Sequence, residues 1–537
     1  MTFPDPSRWI RSAPAIILSM MLVACSGTPA ADRSPSAPDA SVRATPCGAI
    51  AEEIVDAIQL YVDSFAGIAA GDLERASTIG VERLQIEADR LRSKAGVEDC
   101  SQAELTDLVR AELARLRGGT AVQDAVAETF RADPLGTVDP SDAGADELTV
   151  TTADELVDAV NQAGSNSVIT MSAGRYELES PLIVLRPLTL AGAGVDDTTI
   201  TSGAAGATLV SVVDGDVQLH DLTVEHTGEL GAHVVMVAQG GYDLQHVHIS
   251  GARVADDTGG FGIVLQPNRA PLDSQPTSQR LADVTLADNS AGGLVVAGHQ
   301  TPTIQSLTVT GTDGCALCYV EDAAGAASDV TVIDAGIGVR VDQRAAPTLT
   351  GLDSTDAQVG LGLTGSGAVK ITDARLTGGA IGVQATGSGT LDLVRARISD
   401  PSELGVRLSG TTTTTLDDIA VSAAVPVAIA VVGQAGARIS GGSISTSGDA
   451  GVVWDEQATG SVAGLRLSGQ RLGIQLAGAA QVDLTDVTTQ GAQAALVAAG
   501  TTSGTVSRLV CGEVAVVLGE QTSVRVVDSP SCPVIRE

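Results

Sequence analysis

From about Val210 to Leu518 apolar residues return every 22 or 23 positions, and inside each return they alternate with polar ones in short runs. Alternation of period two marks strands with one buried face, and a long period of this size leaves each repeat room for one winding of a stacked solenoid. Leu222, Val247, Val284, Leu307, Val330, Leu352, Ala374, Ala396, Ile419, Gly442, Leu465, Val487 and Leu509 occupy equivalent places. Each is followed by an outward residue and then another inward one. Counted this way, the chain holds about 13 coils, a rod of roughly 60 Å at one strand spacing per coil.

The position before each anchor reads Asp221, His246, Asp283, Ser306, Asp329, Gly351, Asp373, Arg395, Asp418, Gly441, Gly464, Asp486 and Arg508. Short polar residues and glycine suit a bend that needs local hydrogen bonds or positive φ. One interval breaks the rhythm. Val247 and Val284 lie 37 residues apart, so an insertion of roughly 15 residues is expected between Gly251 and Leu281.

Ahead of the repeats the period changes to that of a helix. Ile50, Ile54, Ile58, Tyr61, Val62, Phe65 and Ile68 form one apolar stripe, Val81, Leu84, Ala88 and Leu91 a second, and Leu105, Leu108, Val109, Leu113 and Leu116 a third. The resulting division is a leader over 1–24, a Pro- and Ser-rich tether over 25–45, a helical bundle over 46–131, a linker over 132–147, and the solenoid over 148–537.

The 537 residues carry 65 acids against 31 bases, a formal charge of -34, and Lys94 and Lys370 are the two lysines. Such a field repels nucleic acid. Arg8 and Arg11 followed by the apolar run Ala15 to Ala24 suit a secretory leader, too short to span a bilayer. Leu22-Val23-Ala24-Cys25-Ser26 resembles the lipobox of bacterial lipoproteins, which implies lipidation of Cys25 and a membrane anchor on the extracytoplasmic face. Six cysteines remain in a disulfide-permissive compartment. Cys47 with Cys100, Cys511 with Cys532, and the close pair Cys315 and Cys318 are the expected bridges.

Val150-Thr151-Thr152-Ala153-Asp154-Glu155-Leu156 leads into a short amphipathic helix, then Val168-Ile169-Thr170-Met171 and a turn at Ala173-Gly174-Arg175-Tyr176. This order resembles the N-terminal cap of right-handed parallel β-helices in the pectate-lyase-like superfamily. The resemblance implies an all-β right-handed parallel β-helix and polysaccharide chemistry, while the helical stripes place a small α-helical domain before it. The catalytic motifs of polygalacturonase-like members are absent: Asp256-Asp257 stands without its partners and His299 sits in Gly-His-Gln.

Candidate chemistry clusters around the insertion. Asp221, His246 and Asp283 share one column, and His248 points outward nearby. Imidazole between carboxylates is poised for proton transfer or metal ligation, and Asp256 with Asp257 is the candidate calcium site. A second candidate is basic: Arg375 and Arg397 on adjacent coils, with Arg340 and Arg407 on the neighbouring strand, offer forks for carboxylate or sulfate. Asp353 beneath Arg375 suggests a plain surface ion pair instead. The expectation is therefore a membrane-anchored lipoprotein whose β-helix binds an extracellular ligand, a polysaccharide or an envelope protein, with catalysis not required. The alternatives are a polysaccharide lyase or glycoside hydrolase, and an accessory protein of envelope metalloenzyme assembly.

Overall fold

A computed structural model describes residues 45–63, 91, 94–95, 100, 102–117, 123, 127, 145–184, 186–255, 258–266, 278–512 and 514–537. The leader, Cys25, nearly all of the tether, most of the second helical stripe, and Asp256 and Asp257 lie outside these. The chain divides into two compact units, Met1–Ser278 and Gln279–Glu537.

In the first unit, α1 spans Pro46–Asp63 and α2 spans Gln102–Glu112. The Thr45 hydroxyl accepts the Gly48 N–H at 3.0 Å and so satisfies one open donor at the start of α1. Val55, Ile58 and Val62 bury themselves against Val109, Leu113 and Leu116, the packing that the helical spacing calls for. Cys47 and Cys100 are joined as expected. No helix among the described residues is long and apolar enough to cross a membrane.

The strands of this unit begin at Glu147–Val150, and α3 (Ala153–Gln162) follows at once. Thr152 caps α3 by accepting the Glu155 N–H at 3.2 Å, and Glu155 accepts the Thr151 N–H at 2.7 Å. Leu156 and Val160 are buried on the inner side of the helix, which packs against the first strands. Gly174-Arg175-Tyr176 opens a strand, Gly174–Leu178, rather than forming a turn. Tyr176 is buried, and its hydroxyl donates to the Val150 carbonyl at 2.9 Å. Parallel pairing then carries Gly174 onto Thr198, and Leu222 onto Val247.

The second unit repeats one plan. In the turn from Thr390 the first strand is Thr390–Val394, the second Arg397–Ser399 and the third Leu404–Leu408, with left-handed bends at Arg395, Asp400 and Gly410. Leu391, Leu393, Ile398, Val406 and Leu408 point inward and are buried. Each strand pairs in parallel with its counterpart one turn away, as Leu307 pairs with Val330 and Val330 with Leu352. The anchors thus stack in the register read from the sequence.

Cross-section is set by side-chain size. On the third strand Gly338, Gly360, Gly382 and Gly405 are consecutive rungs, because a Cβ on Gly382 would lie 2.6 Å from Ile398 Cγ2 and 2.7 Å from the Gly405 carbonyl oxygen. Farther along, Trp454 is fully buried, and Gly460 makes the room: a Cβ there would sit 2.8 Å from the indole ring.

The fold is an all-β parallel solenoid of about 16 turns, against about 13 expected. The undercount has a physical cause. The earliest turns put Gly174 and Thr198 at the anchor position, and neither is a large apolar residue that a hydrophobic spacing can register. The remaining disulfides join Cys315 to Cys318 and Cys511 to Cys532.

Candidate functional site

The column that holds Asp221, His246 and Asp283 is first of all a bend. All thirteen of its positions, from Asp221 through Arg508, have φ between 50° and 74°, a region costly for most L-residues and eased by Asp, Asn or Gly. Side chains here project outward, and neighbours one turn apart meet. Asp373 takes a two-point fork from Arg395, at 2.6 and 2.8 Å. Asp486 takes the same fork from Arg508, at 2.5 and 2.7 Å. Hydrogen bonding to the guanidinium holds the Asp373 and Asp486 carboxyls below their ordinary range.

His246 and Asp221 make a weaker rung of this kind, with Nδ1 3.5 Å from Oδ1 and side chains 60% and 56% exposed. That distance exceeds a good hydrogen bond. Asp283 has the same left-handed bend in the second unit, and His248 is a half-buried outward residue in register with Thr223. Sequence reasoning missed the forks. Their signal was present, an acid and an Arg 22 residues apart at bend positions, and it recurs at Asp322 and Arg344.

The arginines separate into two groups. Arg340 is engaged: its Nε lies 2.7 Å from Asp342, a buried carboxylate that also accepts the Thr364 hydroxyl. Arg340 and Arg407 belong to the third strands, on a column that runs through Gly362 and Gln384. Arg375 and Arg397 belong to the second strands and are direct lateral neighbours. Asp353 is in register beneath Arg375, yet the two form no ion pair. Among the described residues neither the Arg375 nor the Arg397 side chain has a hydrogen-bonding or ionic partner, and both are exposed. Two residues along the same strands, the Thr377 and Ser399 hydroxyls meet at 3.2 Å.

Among the described residues no group of three or more His, Cys, Asp and Glu is placed to hold a metal ion. A small indentation, with room for little more than a water molecule, lies at the bend of Gly365, Gly367 and Gly389, lined by Val341, Leu363, Val369 and Leu391 with no titratable side chain. It is a packing gap left by glycines.

No protein-family model matches the chain, and no curated protein matches it. Solved structures do. The catalytic unit of a thermostable GH87 α-1,3-glucanase from Streptomyces thermodiastaticus strain HF3-3 is similar at 17% identity, over 74% of this chain and 68% of that one, with a TM-score of 0.29. The Agl-KA catalytic domain is similar at 9% identity, over 72% and 65%, with a TM-score of 0.24. The PL6 family alginate lyase AlyGC is similar at 9% identity, over 73% and 99%, with a TM-score of 0.19. At these values the likeness concerns the fold alone.

Proposed function

We propose that the protein is a lipid-anchored protein of the extracytoplasmic face whose solenoid binds an anionic polysaccharide through the outward side of its second strands. The carrying observation is the unpaired couple Arg375 and Arg397. Like charges directly opposite each other destabilise a sheet, and a chain of net charge -34 has acids in excess to neutralise them. A ligand carboxylate or sulfate supplies the missing counter-charge, since guanidinium forks match those groups in geometry. Thr377 and Ser399 add neutral donors beside them. The anchor on Cys25 and the helices as spacer complete the reading.

Titration calorimetry with alginate, polygalacturonate and a neutral glucan tests it. Replacing both residues, Arg375→Ala with Arg397→Ala, is expected to weaken anionic binding by about 10- to 100-fold, with a smaller gap at high salt, while Arg340→Ala changes little. Equal affinity in the double variant, or preference for the neutral glucan, refutes the reading. Loss of palmitate incorporation in Cys25→Ala checks the anchor.

A second reading, a polysaccharide lyase or hydrolase, rests on the approach of His246 to Asp221. It requires turnover that disappears in His246→Ala.

A further inference from the structure

We propose that the outward side of the third strands, from Ile337 to Val517, is the interface through which two copies of this chain pack face to face as a twofold dimer. This goes beyond the polysaccharide reading and does not depend on it, because Arg375 and Arg397 stand on the second strands.

Two outward columns build the face. One carries Ile337, Val359, Ile381, Leu404, Val427 and Leu472 as its large side chains, in parallel register, with the small, buried Ala450 between the last two. These large side chains are half-buried, because each leans on its neighbours. A Cβ placed on Gly362 would meet Ile337 Cγ2 at 3.5 Å and Val359 Cγ1 at 3.8 Å, so those two side chains lie over the outward surface and fill the space Gly362 leaves. The other column passes through Gln384 and Arg407 to Ala430, Val453, Gln475 and Val497.

Charge then singles this face out. From Val427 to Val517 neither column carries an ionisable residue. The first strands over the same turns present Asp417, Arg438, Asp483 and Arg525. Copies of a chain with net charge -34 repel one another, and a charge-free apolar surface is where they approach at least cost. Depletion of charge at the centre with an Arg retained is also the composition of protein interfaces. Arg407 is the exposed charge on this face, and Arg340 is held by Asp342.

Self-complementarity follows from shape. Two sheets pack face to face about 10 Å apart with interdigitating side chains, and a twofold axis lays a patch upon itself. Nine turns at one strand spacing, by a five-residue strand, give about 700 Å² per copy. Twice that, about 1,400 Å², falls inside the range of stable specific interfaces, in its lower half. The dimer is therefore expected to be reversible.

Sedimentation velocity on the full chain across a concentration series is the test. A monomer–dimer equilibrium is expected. Val453→Asp with Val497→Asp puts four carboxylates into the interface and is expected to weaken association by at least about 30-fold. Ser443→Asp with Ser445→Asp, on the second strands, is expected to leave it unchanged. Circular dichroism and melting temperature confirm that each variant is folded. If the first variant misfolds, wild-type hydrogen exchange decides: third-strand amides near Val453 must gain protection at high concentration. A monomer at every concentration, a dimer indifferent to Val453→Asp with Val497→Asp, or protection confined to other strands overturns the proposal.

Discussion

Acid should loosen the first unit at one identifiable imidazole. The His233 Nδ1 accepts the Phe261 N–H at 3.3 Å, and its ring stacks on Phe261 with centroids 5.8 Å apart. Burial pulls its pKa from 6.5 down to about 4. The folded pKa is the lower one, so between about 4 and 6.5 the unfolded chain binds more protons. Stability from this group is complete above pH 6.5 and is lost as pH falls toward 4. From the two values the loss is about 1.5 kcal/mol at pH 5.5 and about 2.5 kcal/mol at pH 4.5. These are ceilings, because the ring keeps some contact with water.

The effect is also local. Protonated Nδ1 becomes a donor and can no longer accept the Phe261 N–H. Hydrogen exchange, corrected for intrinsic rates, should show protection of the Phe261 amide falling between pH 7.5 and 4.5. In His233→Gln a neutral acceptor persists and the fall should vanish. His226 is buried with a lowered pKa in the same unit, so the difference between wild type and variant, rather than the total pH slope, is the diagnostic. An identical fall in His233→Gln, or none in wild type, refutes the assignment.

Two more outcomes follow from the bends and the packing. Replacing Arg395 by Asn should be neutral within about 0.5 kcal/mol, since the exposed fork contributes little and Asn accepts the left-handed bend, whereas Arg395→Val should cost about 1–2 kcal/mol; urea denaturation measures both. Gly382→Val should lower stability by about 3 kcal/mol or more, because backbone on the next turn and Ile398 block the added atoms. Gly382→Ala should be milder, since Ala316 and Ala428 occupy the equivalent rung elsewhere, and thermal melting ranks the three.

Much of this molecule was written into its period. Winding length, anchor register and the bend column of Asp221 through Arg508 were all legible, because stacking makes the residue one period away a spatial neighbour, and a bend of positive φ selects Asp and Gly. Six cysteines allowed three bridges and suggested candidate pairs, but the connectivity came from the structure. Gly174 and Thr198 hid the first windings, since a turn needs register and not a large side chain.

Tertiary structure alone decided which arginines are free. Arg340 closes on Asp342 just past the end of its own strand, whereas Arg375 ignores Asp353 directly beneath it. Periodicity brings two residues to adjacent rungs, but the bends decide which face each strand presents, and side-chain reach decides which neighbours pair.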